Sequence, residues 1–329
     1  MNRTMLNTLK AAALVLAVAG CSNAGSDLGP IALQTNAITT QAFLDRDGSR
    51  TFTIGIDTLF PGARVSLRPA GGGKAIQTLT TNSNGIARFN NVPLGEYAIT
   101  VDPASIGDSI GVAKIDSSGV KVEVADTNTF VSIRLAFPEV SIRQARLLPI
   151  GKRVFIRGIV LAGVQSFRDT TSHVADSSGQ IRLTRVSLRG GFISSNPGDS
   201  VSVLGVSSSR AGQPTLDNAV ISRFGQRPPP IPLPLSTATA ANASGGTLDA
   251  GLVVITGAII SDTATVAPDF KVVGTDGSGP VTVILDGNIN FSRAEFRPGR
   301  AMNVRGVLVP NGLGGWVLKP REPSDATAF

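Results

Sequence analysis

Cysteine, histidine, tyrosine and tryptophan each occur once in this chain of 329 residues. With Cys21 as the only cysteine, no disulfide forms within the chain, and any folded domain is held by its core alone. With His173 as the only histidine, zinc–histidine sites, Cys–His pairs and Ser–His–Asp triads lack their parts. On Ser172-His173-Val174 that histidine is expected at the surface or edge of a strand. Carboxylates are scattered singly in turns, such as Asp176 and Asp276, and nothing matches a phosphate loop or nucleotide fingerprint. Asp45-Arg46-Asp47-Gly48-Ser49 brings its glycine at the fourth position, whereas a calcium loop needs it at the sixth, so a turn is expected there. The expectation is a non-catalytic protein with no cofactor and no metal.

Long apolar runs are also missing. Ala11 to Ala19 is uncharged but too short for a hydrocarbon span, which needs about 20 residues. Arg3 and Lys10 precede it and Gly20-Cys21 closes it, the three-part layout of a secretory signal over residues 1–20. Val18-Ala19-Gly20-Cys21 resembles the lipobox of bacterial lipoproteins. That resemblance implies lipid attachment at Cys21, membrane anchoring through several acyl chains, and a place in the cell envelope. Ser22 follows in place of Asp, which in a Gram-negative source implies sorting to the outer membrane. Residues 21–40 are small and polar and read as a flexible tether.

Beyond the tether, short runs of Val, Ile and Thr alternate with Gly, Asn, Asp and Pro. This is an all-β pattern, read as a β-sandwich followed by tandem five-stranded barrels. Over residues 41–138, strands are expected at Arg64–Leu67, Ala75–Thr80, Gly85–Phe89 and Tyr97–Val101. Asn82-Ser83-Asn84-Gly85 marks a tight turn. The run from Thr80 through Gly85, Phe89 and Gly95 to Tyr97 resembles the carboxypeptidase-regulatory-like family of small transthyretin-like sandwiches. The resemblance implies a spacer without an active site, with Tyr97 as a packed core or corner residue.

The remainder is a duplication, expected as residues 139–227 and 228–329. Phe155-Ile156-Arg157-Gly158 returns as Val254-Ile255-Thr256-Gly257, and Asp176-Ser177-Ser178-Gly179 returns as Asp276-Gly277-Ser278-Gly279. Pro197-Gly198 returns as Pro298-Gly299; the offsets are 99, 100 and 101 residues. The order of strands and glycine turns suits a five-stranded OB barrel. Both copies also resemble OB-like repeats of bacterial exported proteins, often found beside nuclease or phosphoesterase domains. That resemblance rests on Ser141–Arg146, the glycine landmarks, and Trp316–Asp325. Between the copies, the proline run 228–234 is expected as a stiff extended linker.

Charge divides the copies: residues 141–227 hold 12 Arg or Lys against 4 Asp, and residues 228–329 hold 7 basic against 8 acidic residues. A basic OB barrel suits a single-stranded nucleic acid, by phosphate neutralisation and base stacking. Arg153, Arg157, Arg168, Arg182, Arg185 and Arg189 are the residues expected to line such an anion-binding groove. Stacking partners are few, namely Phe155, Phe167, Phe192 and Phe224. Two readings follow. One is a non-catalytic envelope lipoprotein that binds or scaffolds, its charge serving solubility or facing anionic headgroups. The other is an extracellular nucleic-acid-binding accessory protein.

Overall fold

The computed structural model describes residues 33–107, 111–112, 120–125, 127–189 and 194–329. The signal segment with Cys21, and Phe192, lie outside them. The fold is all-β, with three β units in succession.

The first unit holds β1 (Thr35–Leu44), β2 (Thr58–Leu59), β3 (Arg64–Pro69), β4 (Gln77–Thr80), β5 (Ile86–Pro93), β6 (Gly95–Val101), β7 (Gly111–Val112), β8 (Val120–Val124) and β9 (Thr129–Ala136). One sheet runs β2-β1-β9-β7 with β5 also on β1; the other runs β4-β3-β6-β8. Alternation forms β3: Val65 and Leu67 are sealed in the core while Arg64 faces solvent. Phe43 and Phe89 are fully buried in the same sandwich, and such a side chain contributes roughly 1.5–3 kcal/mol. Gly85 closes the Asn82 turn at φ +69°, and a Cβ there would stand 2.3 Å from the Ala42 carbonyl oxygen. Only glycine meets both demands. The Tyr97 hydroxyl donates to the Pro93 carbonyl at 2.8 Å, the corner role expected of it.

β1 corrects the expected tether. Residues 35–40 belong to a strand paired with β5 on one side and β9 on the other. Ile38, Thr40 and Ala42 are fully buried, and the Thr40 hydroxyl donates to the Ala87 carbonyl. Small and polar side chains fit this central strand between two neighbours, and for that reason the segment reads as a linker in sequence.

The second unit holds a helix α1 (Ile142–Arg146), then β10 (Arg153–Ala162), β11 (Ser172–Asp176), β12 (Gly179–Leu183), β13 (Ser187–Leu188), β14 (Asp199–Arg210) and β15 (Gln213–Gln226). The third holds β16 (Leu233–Pro234), α2 (Thr237–Ala241), β17 (Leu252–Val266), β18 (Asp269–Thr275), β19 (Pro280–Leu285), β20 (Ala301–Pro310), β21 (Trp316–Lys319) and β22 (Ala326–Ala328). Five strands close each barrel: β10-β11-β12-β15-β14 back to β10, and β17-β18-β19-β21-β20 back to β17. In both circuits the third and fifth of the five strands meet in parallel and the other four contacts are antiparallel. That shared circuit is the Greek-key closure of an OB barrel.

The drift of the repeat offset has a structural origin at its first step. Ile156 and Ile255 occupy equivalent places against Val203 and Val304, 99 residues apart. After a β-bulge between Ile255 and Ala258, Ile159 and Ile259 are equivalent, 100 apart. One inserted residue, Gly257 at φ +68°, absorbs the difference.

Candidate functional site

The repeated Asp-x-Ser-Gly turns do structural work in both barrels. Asp176 Oδ1 accepts from Ser178 N at 2.7 Å, closing the hairpin, while its Oδ2 accepts from Ile142 N at 2.9 Å. Ser178 Oγ accepts from Arg143 N at 3.0 Å. In the third unit Asp276 Oδ2 accepts from Thr237 N at 3.0 Å, and Ser278 Oγ from Ala238 N at 3.1 Å. Each turn thus satisfies unpaired N–H groups at the start of a one-turn helix. Hydrogen bonds from Ser278 and Thr237 hold the Asp276 carboxyl well below the ordinary aspartate range.

The Asp45–Ser49 segment is a run of bends folded around the Asp45 carboxylate. Asp45 is buried; its Oδ1 accepts from Gly48 N at 2.6 Å, and its Oδ2 accepts from Arg50 N and, at 2.5 Å, from Arg134 Nε. Carboxylate oxygens of Asp45, Asp47 and Asp57 lie within 4.8 Å of one another. Those of Asp57 accept from Arg46 N and Thr53 N. The segment docks on the middle barrel, where Arg157 Nη2 donates to the Gly48 carbonyl at 2.6 Å and Ser202 Oγ to the Asp47 carbonyl at 2.5 Å. Phe155 and Leu204 of that barrel pack into the sandwich core.

A second junction joins the barrels. Buried Asp249 receives Gln213 Nε2 at 2.7 Å, Trp316 Nε1 at 2.8 Å and Arg146 Nη2 at 3.3 Å. Gln180 Nε2 donates to the Thr247 carbonyl at 2.8 Å, and Arg321 Nη1 to the Leu161 carbonyl at 2.7 Å. Leu161, Ala162 and Phe167 of the middle barrel sit in the apolar core of the third unit, and Lys319 lies over the Phe167 ring at 4.7 Å. OB folds present oligonucleotides and oligosaccharides to the face made by strands 2 and 3 with adjoining loops. In the middle barrel those strands are β11 and β12, and the second junction covers part of them.

His173 lies on that covered side. It is 1% exposed, contrary to the surface or edge position expected of it. Its ring meets Phe167 edge-on at 5.8 Å, and neither ring nitrogen has a hydrogen-bond partner. The tertiary packing of the third unit, invisible to local periodicity, decides this. Burial first, then the Arg182 and Lys319 charges, hold the imidazole well below its ordinary pKa.

The six arginines do not converge on one groove. Arg157 is spent on Glu139 at 3.1 Å, on the Gly48 carbonyl and on the Phe224 ring. Arg185 forks onto Asp217, with Nε 2.7 Å from Oδ1. Arg182 is half-buried opposite His173, and burial, then the Arg210 charge, lower its pKa. Arg168 stands exposed on the β10–β11 loop. Only Arg153 and Arg189 come together, lining a cleft of about 210 Å³ with Phe137, Leu204, Asn218 and a third arginine, Arg46. Sequence reasoning missed Arg46, because only the docking of its segment carries it to the barrel.

The class defined by this architecture is a β-sandwich joined to tandem OB barrels. No family model matches the chain, and no curated protein is similar to it. Among solved structures it is similar to a minor pilin of the gram-positive pathogen Streptococcus agalactiae, at 12% identity over 32% of this chain and 45% of that one, TM-score 0.26. It is also similar to the p202 HIN1 domain solved with 12-mer dsDNA, at 11% identity over 55% and 94%, TM-score 0.29. A third is the Bacillus anthracis TIE protein, at 11% identity over 88% and 49%, TM-score 0.23. The chain spans about half the length of the pilin and of the TIE protein.

Proposed function

We propose that the chain is a lipid-anchored, non-catalytic scaffold of the bacterial cell envelope, in which a sandwich and two barrels form a stacked spacer. The observation that carries this reading is the sealed junction between the barrels. Asp249 and Arg321 make buried or half-buried hydrogen bonds across it and Gln180 an exposed one, and one apolar core runs through it. A duplicated binding fold has thereby turned part of one ligand face into a joint. The sole histidine is walled into the same joint, and the repeated aspartates cap helices, which supports a non-catalytic role. The nucleic-acid reading draws support from the basic middle barrel, but its arginines are spread over two junctions, an ion pair and a cleft.

The test is fractionation of a bacterium expressing the full chain. The wild type is expected in the membrane fraction, and Cys21→Ser in the soluble exported fraction with its domains folded. Persistence of Cys21→Ser in the membrane would overturn the anchor. Salt-sensitive retention of the purified chain on single-stranded DNA at about 50 mM salt would favour the nucleic-acid reading instead.

A further inference from the structure

We propose that the cleft between the sandwich and the middle barrel binds a small tetrahedral oxyanion of the phosphate-monoester type. Three arginines line it, from separate parts of the chain: Arg46 on the segment after β1, Arg153 on β10 and Arg189 after β13. Among the described residues, none of the three side chains has a carboxylate partner within salt-bridge distance. The Arg153 guanidinium lies over the Phe137 ring at 5.3 Å, which orients it without neutralising it.

The neighbouring basic residues show that this is a local choice. Arg146, Arg157, Arg185 and Arg223 of the same barrel each face a carboxylate. Like charges held together in one cleft repel and focus a positive potential on whatever enters it. Nothing acidic lines this cleft; Asn218 is its polar neutral side chain. The ligand class follows from shape and charge. About 210 Å³ is smaller than the roughly 300 Å³ at which drug-sized pockets begin, so the occupant is compact. Planar guanidinium forks match phosphate oxygens two at a time, and a phosphate monoester carries about −1.5 to −2 charges. Arg46 and Arg153 are exposed, leaving the cleft open to solvent. Because the site is shared by two units, its occupant also fastens the sandwich to the barrel.

The experiment titrates inorganic phosphate into the full-length protein in detergent at low salt, by calorimetry and thermal melting. Saturable binding with a rise in Tm is expected. Arg46→Gln and Arg153→Gln are each expected to weaken it about tenfold or more, since hydrogen bonds to charged groups contribute roughly 1.5–3 kcal/mol. Arg185→Gln, whose guanidinium already serves Asp217, is expected to bind as the wild type does. Asn218→Asp is a gain-of-stability counterpart. Its φ of 48° suits Asp, and the new carboxylate is expected to raise Tm and abolish phosphate binding. Vesicles containing phosphatidic acid, whose headgroup is a phosphate monoester, identify the source: binding competed by free phosphate and lost in Arg46→Gln assigns the site to a lipid headgroup. The proposal is overturned if phosphate does not bind the wild type. It is equally overturned if Arg46→Gln and Asn218→Asp both bind phosphate with wild-type affinity.

Discussion

His173 enters the fold on β11 with an apolar neighbour, Val174, and its imidazole comes to rest against Phe167 without a hydrogen-bond partner. Two unpaired polar nitrogens in a buried site favour the neutral ring. The unfolded chain takes up its proton near pH 6.5, whereas the folded chain does so only at lower pH. Below the unfolded value, the unfolded state therefore binds more protons, and stability falls as pH falls. His173→Phe is expected to keep the ring packing and flatten the loss of Tm between about pH 7 and 5. An unchanged slope would assign that loss to other groups. The sequence shows that His173 is the only histidine, but its burial depends on the third unit, whose first strand begins 60 residues downstream at Leu233.

At the scale of elements, the Asp-x-Ser-Gly turn shows how one short motif serves two jobs. Its repetition is visible in sequence, and so is its turn character. The second job, capping the helix that opens each barrel, requires the hairpin to meet a segment 34 or 39 residues earlier. Asp176→Ala removes that cap and the hairpin bond together, with an expected cost of about 1 kcal/mol read from urea unfolding. An unaltered midpoint would mean that the helix holds without it. Asp276 adds a pH dependence of opposite origin to that of His173. Its folded carboxyl titrates below the ordinary range, so its contribution is complete above about pH 4 and lost as pH falls towards the folded value. Asp276→Asn is expected to reduce the loss of Tm on acidification below about pH 4.

For the whole molecule, the junctions matter more than any single unit. Asp249 is 2% exposed and holds Arg146, Gln213 and Trp316 from both barrels. Losing Asp249 strips Gln213 Nε2 and Trp316 Nε1 of their acceptor and the half-buried Arg146 of its carboxylate, each such loss costing roughly 1–3 kcal/mol. Asp249→Ala is therefore expected to uncouple the barrels, splitting one calorimetric transition into two. A single transition at the wild-type Tm would show that the apolar core alone joins them.

Period-two alternation, turn residues and a near-constant repeat offset determined the all-β class, the two barrels and the order of units, because each is written in short local motifs, read once or read again 99 to 101 residues later. Their five-strand circuits agree with that reading. The tertiary structure alone decided where β1 begins, which arginines are consumed by carbonyls and carboxylates, and which three share a cleft. Those outcomes depend on which faces meet. Faces meet through complementarity between distant residues, such as Arg157 with Gly48 or Arg321 with Leu161, and no local pattern in the sequence encodes such a pair.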